Sequence, residues 1–505
     1  MHAALRVNCV MALDLASLPP IPEPDEQPGV ARYKLAIRMH AAPELHPLLG
    51  PLCQEEMDRY TGTVVREGNR VLFLPSGRAS YEQRWALIEG ANRSIDLVSF
   101  SMMRDATTRQ LRDLLLKKLK QGVLVRVIVD DAVTYSTFVG GYLKQLVRAG
   151  AEVIRYHLIF KRMWPDLSAG HPFKAFARIL KFKLKRHFHE KYTIVDGTYC
   201  ILGGINWGNK YAFGGLKPKA WRDSDVLLSG PVVADIERQF VNDFAFYTAM
   251  NRAWRNPKVD FDRLGELAQA ERVVEAFRSQ EAYFPTLAPT GAERVRYLPH
   301  KPYDEERLRS TEAVILLLRQ AQRYIYWGCH GIRPPHILAE TLAAAVERGV
   351  EVRLITNSRH SSRTLMFFGL LGWMYWESSN HFPWLLERGI RIFEWQKPGA
   401  FHSKNLVIDD VVASVGSYNI ASGSTLHHTE SNVVVYGGEF PTAVRKQFEV
   451  DFVDTKEVTL QTARKIPPRH QPMLRPLHER NLLLPRELRT ESINIALDEG
   501  RYKRM

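Results

Sequence analysis

Apolar and polar positions along the chain follow two alternating patterns, which predict strands and helices in turn. The strand-like run SIDLVSF at 94–100 is followed by a helical pattern at 109–122 and a second strand-like run at 123–131. The same order returns at 323–329, 336–349 and 350–358. Strands that alternate with helices of this length are typical of βαβ units. We therefore expect an α/β fold with a mixed, mostly parallel sheet and helices on both faces.

The two series are copies of one repeat. Gly122 matches Gly349 where the helix stops, and Asp130 matches Asn357 near the end of the following strand. We therefore predict two tandem α/β domains related by a pseudo-two-fold axis. The predicted divisions are an N-terminal extension (1–62), a first domain (63–255), a linker (256–285), a second domain (286–455) and a basic, proline-containing tail (456–505).

Each copy carries histidine, lysine and aspartate at the spacing H-x-K-x4-D. The first set is His189, Lys191 and Asp196, and the second is His402, Lys404 and Asp409. A glycine-containing turn and an asparagine follow in both copies: Gly203, Gly204 and Asn206, then Gly416, Ser417 and Asn419. One copy alone is consistent with a strand that has polar residues on its exposed face. Two copies at equivalent places indicate a functional site.

The residue types in the two motifs suit a phosphodiester. Residues two apart in a strand project to the same face, so each motif histidine points with its lysine. If the pseudo-two-fold axis brings both copies into one cleft, the side chains that hold the non-bridging phosphate oxygens are Lys191, Lys404, Asn206, Asn419 and Ser417. One histidine can attack phosphorus while the other protonates the departing alcohol. This chemistry needs no metal or other cofactor.

The paired motifs resemble those of the phospholipase D superfamily, and the resemblance covers roughly 65–455. The stretches GGINWGNKY, LLERGIRIFEWQ and VGSYNIASGSTLHHTESNVVV are similar to bacterial cardiolipin synthases. The resemblance implies that His189 is the nucleophile and that His402 is the general acid and base.

The same resemblance implies that a downstream acid orients each histidine through its other ring nitrogen. The matching positions are Asp223, with Asp225 as the competing choice, and Glu430. Asp196 and Asp409 complete the candidate catalytic set as members of the motif. We expect them to be structural partners of the motif rather than proton carriers.

From the resemblance we expect a phosphatidyltransferase that works through a phosphohistidine intermediate and transfers a phosphatidyl group to phosphatidylglycerol. The donor would be phosphatidylglycerol or phosphatidylethanolamine. A phospholipase D that hydrolyses phospholipid to phosphatidic acid is the main alternative. We favour a nucleic-acid phosphodiesterase less, because nucleases with this motif are often single-motif dimers, and we expect no nucleic-acid partner. A non-catalytic lipid-binding scaffold is disfavoured because both motifs are intact.

Composition bears on the partner and the compartment. The formal charge of +14 and the pI near 9.5 indicate an anionic partner, for which phospholipid surfaces and nucleic acids both qualify. The four cysteines are isolated, which argues against a disulfide framework or a zinc site and favours a reducing compartment.

The chain contains no run of about 18 apolar residues that could span a bilayer. Its N-terminal stretch is a poor signal peptide, and we interpret it as a non-spanning extension. Many cardiolipin synthases begin with membrane-spanning helices, so the chain departs from them here. We expect peripheral contact at the cytoplasmic face of the bacterial inner membrane, or a cytoplasmic location.

Two segments are candidates for membrane contact. The apolar stretch 365–376, with Trp373 and Trp376, is either a buried core helix or an interfacial wedge. The basic stretch 173–188 is either a solvated face or a binding surface for anionic headgroups. Three histidines near the motifs lack metal-ligand spacing and are assigned no ligand role: His187, His427 and His428.

Overall fold

The computed structural model describes residues 46–130, 133–134, 141–156, 168–173, 187–253, 287–301, 308–362 and 372–468. The predicted linker at 256–285 and most of the basic stretch 173–188 lie outside the described residues. The same holds for 365–371 of the apolar stretch and for the tail after 468.

Eight strands are described in each half. The first half contains β1 (Val65–Leu74), β2 (Ser94–Ser99), β3 (Leu124–Asp130), β4 (Glu152–Tyr156), β5 (His187–Phe188), β6 (Lys191–Val195), β7 (Tyr199–Gly203) and β8 (Asp225–Ser229). The second half contains β9 (Glu293–His300), β10 (Tyr324–Gly328), β11 (Glu351–Asn357), β12 (Arg391–Trp395), β13 (Leu406–Ile408), β14 (Val412–Gly416), β15 (His428–Tyr436) and β16 (Thr455–Glu457).

Helices lie between these strands in the order that the repeat predicts. The first half has α1 (Pro51–Thr61), α2 (Gly77–Gly90), α3 (Ala106–Lys120), α4 (Gly141–Arg148), α5 (Asn209–Ala212) and α6 (Pro231–Ala253). The second half has α7 (Arg309–Arg319), α8 (His336–Glu347), α9 (Arg359–Ser362), α10 (Gly372–Ser379), α11 (Phe382–Glu387), α12 (Ser422–Leu426), α13 (Phe440–Val453) and α14 (Leu460–Arg464).

Helix α3 shows how the sequence sets these boundaries. Asp105 accepts a hydrogen bond from the Thr108 N–H and Thr108 bonds back to the Asp105 N–H, so a capping box starts the helix. Gly122 follows the last turn with φ of 84°, a left-handed conformation that glycine adopts without strain. The predicted helix at 109–122 therefore exists, three residues earlier at its start.

One continuous sheet joins the two halves. Strands β1 and β9 pair antiparallel at its centre. From that pair the first half runs outward as β1-β8-β7-β6-β2-β3-β4, and the second as β9-β15-β14-β13-β10-β11-β12. The identical orders confirm two α/β units related by a pseudo-two-fold axis.

The proportion of parallel strands needs correction. The sheet is mixed, but ten of its strand pairs are antiparallel. Parallel pairing is confined to β2-β3-β4, β10-β11-β12 and the short β5-β15 contact. One reason is that the chain reverses in a tight turn directly after each motif strand, from β6 to β7 and from β13 to β14. A connection this short can join only antiparallel strands.

The described parts of the N-terminal extension and the tail pack against the second half. Cys53 and Met57 of α1 are buried in the same apolar cluster as residues of α7. Strand β16 pairs with β12 at the sheet edge, and α14 contacts α11. The domain boundaries at 62 and 455 stay a prediction, and the packing shows that both flanking segments contribute to the second-half framework.

The apolar stretch is described only from residue 372 onward. In α10 the Tyr375 side chain is buried, whereas Trp376 is partly exposed beneath the Arg359 guanidinium at 5.3 Å from its ring centroid. The Trp373 side chain lies outside the described residues. The choice between core helix and interfacial wedge stays open. Among the described helices, none has both the length and the apolarity needed to cross a membrane.

A buried ion pair links two strands of the first half. The Arg126 guanidinium donates to both carboxylate oxygens of Asp96 at 2.6 and 2.7 Å, and both side chains are buried. The ion pair stabilises the fold only while both partners are present, because a buried charge without its partner is costly.

We expect Asp96→Ala to reduce the free energy of unfolding by about 3–5 kcal/mol, because it removes the carboxylate that accepts two hydrogen bonds from the buried Arg126 guanidinium. The double variant Asp96→Leu with Arg126→Met should lose much less, because it buries no charge. Urea unfolding followed by circular dichroism measures both. Equal losses in the two proteins would contradict this account of the pair.

Candidate active site

The backbone at each motif histidine is hydrogen-bonded to the opposite half of the chain. Strand β5 pairs with β15 of the second half, and the His189 N–H donates to the Thr429 carbonyl at 3.1 Å. In the mirrored contact the His402 N–H donates to the Arg222 carbonyl at 2.7 Å. Each motif histidine therefore lies against the opposite half, as the pseudo-two-fold axis predicts.

A carboxylate from the other half contacts each histidine. His189 Nδ1 lies 2.8 Å from a Glu430 oxygen, and His402 Nδ1 lies 2.5 Å from an Asp223 oxygen. Both acids are buried. Because Nδ1 is engaged in each ring, Nε2 is the nitrogen left for a substrate.

Asp225, the competing candidate, has a different role. Its carboxylate pairs with the Arg84 guanidinium at 2.8 Å and accepts hydrogen bonds from Ser80 Oγ at 2.5 Å and from the Ile205 N–H at 3.1 Å. These contacts fix the turn that leads to Asn206. The structure therefore brings Asp223, and not Asp225, to His402.

The two motif lysines are buried cations. The Nζ of each donates to the carbonyl of its own motif histidine, and Lys404 Nζ also lies 2.8 Å from His402 Nδ1. Within the described part of the chain neither forms an ion pair with a carboxylate, and both are about 1% exposed. Burial lowers the pKa of Lys191 to about 7 and also lowers that of Lys404. Such a pair of cations favours a bound anion.

Glu190, between the first motif histidine and lysine, faces away from them. Its carboxylate pairs with the buried Lys301 ammonium, which also contacts Asp243 at 2.7 Å. The alternation expected of an extended segment therefore holds here, with His189 and Lys191 on one side and Glu190 on the other.

The asparagines and the serine are held by local hydrogen bonds. Asn206 accepts from the Ser101 N–H at 2.9 Å and donates to the Tyr211 hydroxyl at 3.0 Å. The side-chain contacts of Asn419 are longer, at 3.5 Å to the Ser417 carbonyl and 3.7 Å to Cys329 Sγ. The Ser417 hydroxyl is fully buried and accepts from the Ser431 N–H at 3.0 Å. Their contact with phosphate stays a prediction.

The motif aspartates lie at the other ends of β6 and β13 from the histidines. Asp196 accepts the backbone N–H groups of three consecutive residues: Asn92, Arg93 and Ser94. Asp409 accepts the matching set, Gln322, Arg323 and Tyr324, and also contacts His46. Both carboxylates fasten one strand to the next, and the place of Asp196 and Asp409 in the catalytic set stays a prediction.

Sequence reasoning missed the rings that enclose the two histidines. Phe100 and His428 flank His189, with centroid separations of 4.7 and 5.4 Å. His330 and Trp221 flank His402 at 5.0 and 5.1 Å. A signal was present in the repeat, because Trp221 and His428 each stand two residues before the acid of their half.

The two histidine–acid pairs differ electrostatically. Burial lowers the pKa of His189 to about 3, and the neighbouring Lys191 adds to this. Burial opposes ionisation of Glu430, but its interactions with His189, and then with His428 and Lys191, outweigh burial and hold the pKa of that carboxyl far below its usual range. In the other pair burial dominates and raises the pKa of Asp223 to about 7, against the pull of Lys404. The pKa of His402 is lowered well below its usual value by burial, then by Lys404 and His330.

Three side chains at the first histidine also have the types that hold metals. Possible ligand atoms of His189, His428 and Glu430 lie within 4.8 Å of one another. His189 Nδ1 is already bonded to Glu430. We therefore infer that these three side chains orient the His189 ring and do not hold a metal ion.

The comparisons with known proteins agree with this geometry. The sequence profile described as "Cardiolipin synthase, PLD-like domain" matches residues 85–244 and 314–452, which is more than half of the chain. The chain belongs to this family.

Curated relatives carry the same name. Cardiolipin synthase A of Pseudomonas aeruginosa (strain LESB58) is 29% identical over 414 residues, covering 81% of this chain and 72% of that protein. Cardiolipin synthase of Oceanobacillus iheyensis is 25% identical over 398 residues, covering 78% of this chain and 71% of that protein. The crystal structure of phosphatidylserine synthase from Haemophilus influenzae Rd KW20 shares the fold, with a TM-score of 0.57, 14% identity and coverage of 85% of this chain and 97% of that one.

The depressed pKa of Lys191 makes anion binding depend on pH. An ammonium with a pKa of about 7 is charged below that pH and loses its charge as the pH rises through it. Sulfate keeps its own charge over this range. We therefore expect its apparent Kd to rise about tenfold between pH 6 and pH 8 in isothermal titration calorimetry.

Lys191→Met is the matched control, and we expect weaker sulfate binding with a shallower pH dependence. A wild-type Kd that stays constant between pH 6 and pH 8 would show that Lys191 does not titrate in this range.

Proposed function

We propose that the chain is a phosphatidyltransferase of the cardiolipin synthase type, which transfers a phosphatidyl group through a phosphohistidine to phosphatidylglycerol. The observation that carries the proposal is the crossed pair of imidazoles, each held by an acid from the other half. Two buried lysines lie beside them, and neither forms an ion pair within the described residues. Membership of the cardiolipin synthase family supports the lipid substrate.

The electrostatics of the two pairs support a division of roles. Glu430 is ionised and accepts the Nδ1 proton of His189, so Nε2 of that ring keeps its lone pair. We assign His189 as the nucleophile, which attacks phosphorus through Nε2. The bond between phosphorus and the headgroup oxygen breaks, and the phosphatidyl group is then attached to His189.

His402 is assigned to the leaving alcohol. Asp223, with a pKa of about 7, can hold a proton near neutral pH beside the neutral ring. As the alcohol departs, His402 Nε2 gives it a proton and Nδ1 receives the one from Asp223. The developing charge on the phosphate oxygens is stabilised by Lys191 and Lys404.

The second step reverses these proton movements. A hydroxyl of phosphatidylglycerol enters on the His402 side, its proton passes to Nε2, and the Nδ1 proton returns to Asp223. The new oxygen–phosphorus bond forms as the bond to His189 breaks, which gives cardiolipin and the free imidazole. Water in place of the lipid hydroxyl would give phosphatidic acid.

Lipid substrates require contact with a membrane surface. We propose peripheral contact at the cytoplasmic face of the bacterial inner membrane, supported by the net charge of +14. The cysteines of the described residues, Cys53, Cys200 and Cys329, are free and buried, which is consistent with a reducing compartment.

Incubation with liposomes tests the substrate class. With phosphatidylglycerol alone, or with phosphatidylethanolamine added, we expect cardiolipin in the mass spectrum of the extracted lipids. Phosphatidic acid as the sole product would favour the hydrolytic alternative. Cleavage of DNA or RNA without any lipid turnover would overturn the proposal.

Trapping of the intermediate tests the assignment of the histidines. We expect rapid quenching of wild type and His402→Ala in a mildly alkaline denaturant, which preserves the phosphorus–nitrogen bond, to leave a lipid adduct on His189, detected by peptide mass spectrometry. His189→Ala should form none, because the nucleophile is gone. An adduct that persists in His189→Ala and disappears in His402→Ala would reverse the two roles.

A further inference from the structure

Lys210 differs from the other charged residues near the site because its ammonium group forms no hydrogen bond or ion pair with any other described residue. It belongs to the short helix α5, and its Nζ lies 3.6 Å from the centroid of the Trp221 ring. The carboxylate that acts on it electrostatically, Asp105, already accepts the backbone N–H groups of Thr108 and Asn209. Lys210 is therefore a partly exposed cation that lacks a counter-ion.

Backbone packing fixes the position of Lys210. A Cβ at Gly77 would lie 1.8 Å from the Tyr211 carbonyl oxygen, so only glycine lets helix α2 approach α5 this closely. On the other side, the Lys210 carbonyl accepts the Trp221 N–H at 2.7 Å. These contacts join α5 to the segment that carries Asp223 and keep the lysine beside Trp221.

The cation lies on the His402 side of the site. The two rings that it contacts, Trp221 and Tyr211, are 5.1 and 5.6 Å from the His402 ring between centroids. Its charge also contributes to the lowered pKa of His330, which flanks the same histidine. Burial lowers the pKa of Lys210 itself to about 7.

The repeat has no cation at the matching position on the His189 side. Lys210 is four residues after Asn206, and the residue four after Asn419 is Gly423. The His428 ring packs there so closely that a Cβ on Gly423 would lie 2.9 Å from its Cε1. Of these two matching positions, only the one on the His402 side, where an alcohol would leave and enter, carries a cation.

We infer that Lys210 and Trp221 form a second phosphate subsite, which binds the phosphodiester of the acceptor lipid. The inference rests on the proposed function. In an in-line displacement at His189 the incoming and leaving oxygens lie on the opposite side of phosphorus, next to His402. The accepting glycerol of phosphatidylglycerol carries its own phosphate, whereas water and simple alcohols are neutral and ethanolamine is a cation. A lone ammonium at this place therefore favours an anionic acceptor.

Competition between two acceptors tests the subsite with the full chain. Phosphatidylglycerol vesicles are supplied together with 1-butanol, and cardiolipin and phosphatidylbutanol are quantified. For Lys210→Met we expect the ratio of cardiolipin to phosphatidylbutanol to fall about tenfold, the size expected for loss of one charge-assisted hydrogen bond. Lys210→Arg should keep most of the ratio, and the exposed Lys217→Met, seven residues away, should not change it.

An equal fall of both products in Lys210→Met would overturn the inference, because it would indicate a structural role. Sulfate binding at pH 6 separates this result from failure of the proposed function, since it needs no turnover. We expect Lys210→Met to bind one sulfate fewer per chain than wild type in calorimetry, and Lys217→Met to match wild type. An unchanged stoichiometry overturns the subsite, and a lost sulfate supports it even if no cardiolipin forms.

Discussion

Two hydrogen bonds that cross between the halves determine the arrangement of the site. Glu430 holds Nδ1 of His189, and Asp223 holds Nδ1 of His402. An imidazole held in this way presents Nε2 in one direction, which is the orientation that chemistry at phosphorus requires. The central β1–β9 pair and the β5–β15 contact keep the halves in the register that these bonds need.

Buried positive charge gives this arrangement its affinity for anions. Lys191 and Lys404 are removed from water, and burial lowers the pKa values of both ammonium groups even though Glu430 and Asp223 act in the opposite direction. A phosphate group between them would offset this effect of burial. The two acids make the His189 side and the His402 side electrostatically different. Glu430 stays ionised beside His189, whereas Asp223 can keep a proton near neutral pH beside His402.

Local patterns predicted the parts of the site that depend on local geometry. Alternation along an extended segment was enough to put His189 and Lys191 on one side, and the repeat was enough to predict the pseudo-two-fold axis. The antiparallel return of the motif strands was missed, because strand–helix alternation hid the tight turn at Asp196.

Contacts between residues that are distant in the chain could not be predicted from one sequence alone. The crossing of Glu430 to His189 leaves no pattern along the chain, since it joins distant segments. Lys210 is the exception. A cation in one copy of the repeat and Gly423 in the other is a visible break in symmetry.

The crossed carboxylates also set the order in which the site can be assembled during synthesis. Glu430 follows His189 by 241 residues, so the first motif leaves the ribosome long before its orienting acid exists. Domains generally fold from the N-terminus as the chain emerges. The folded first half therefore carries its histidine without a carboxylate partner, and its geometry is complete only after β15 joins the sheet. The active site of a newly made chain thus depends on the last long strand to be synthesised.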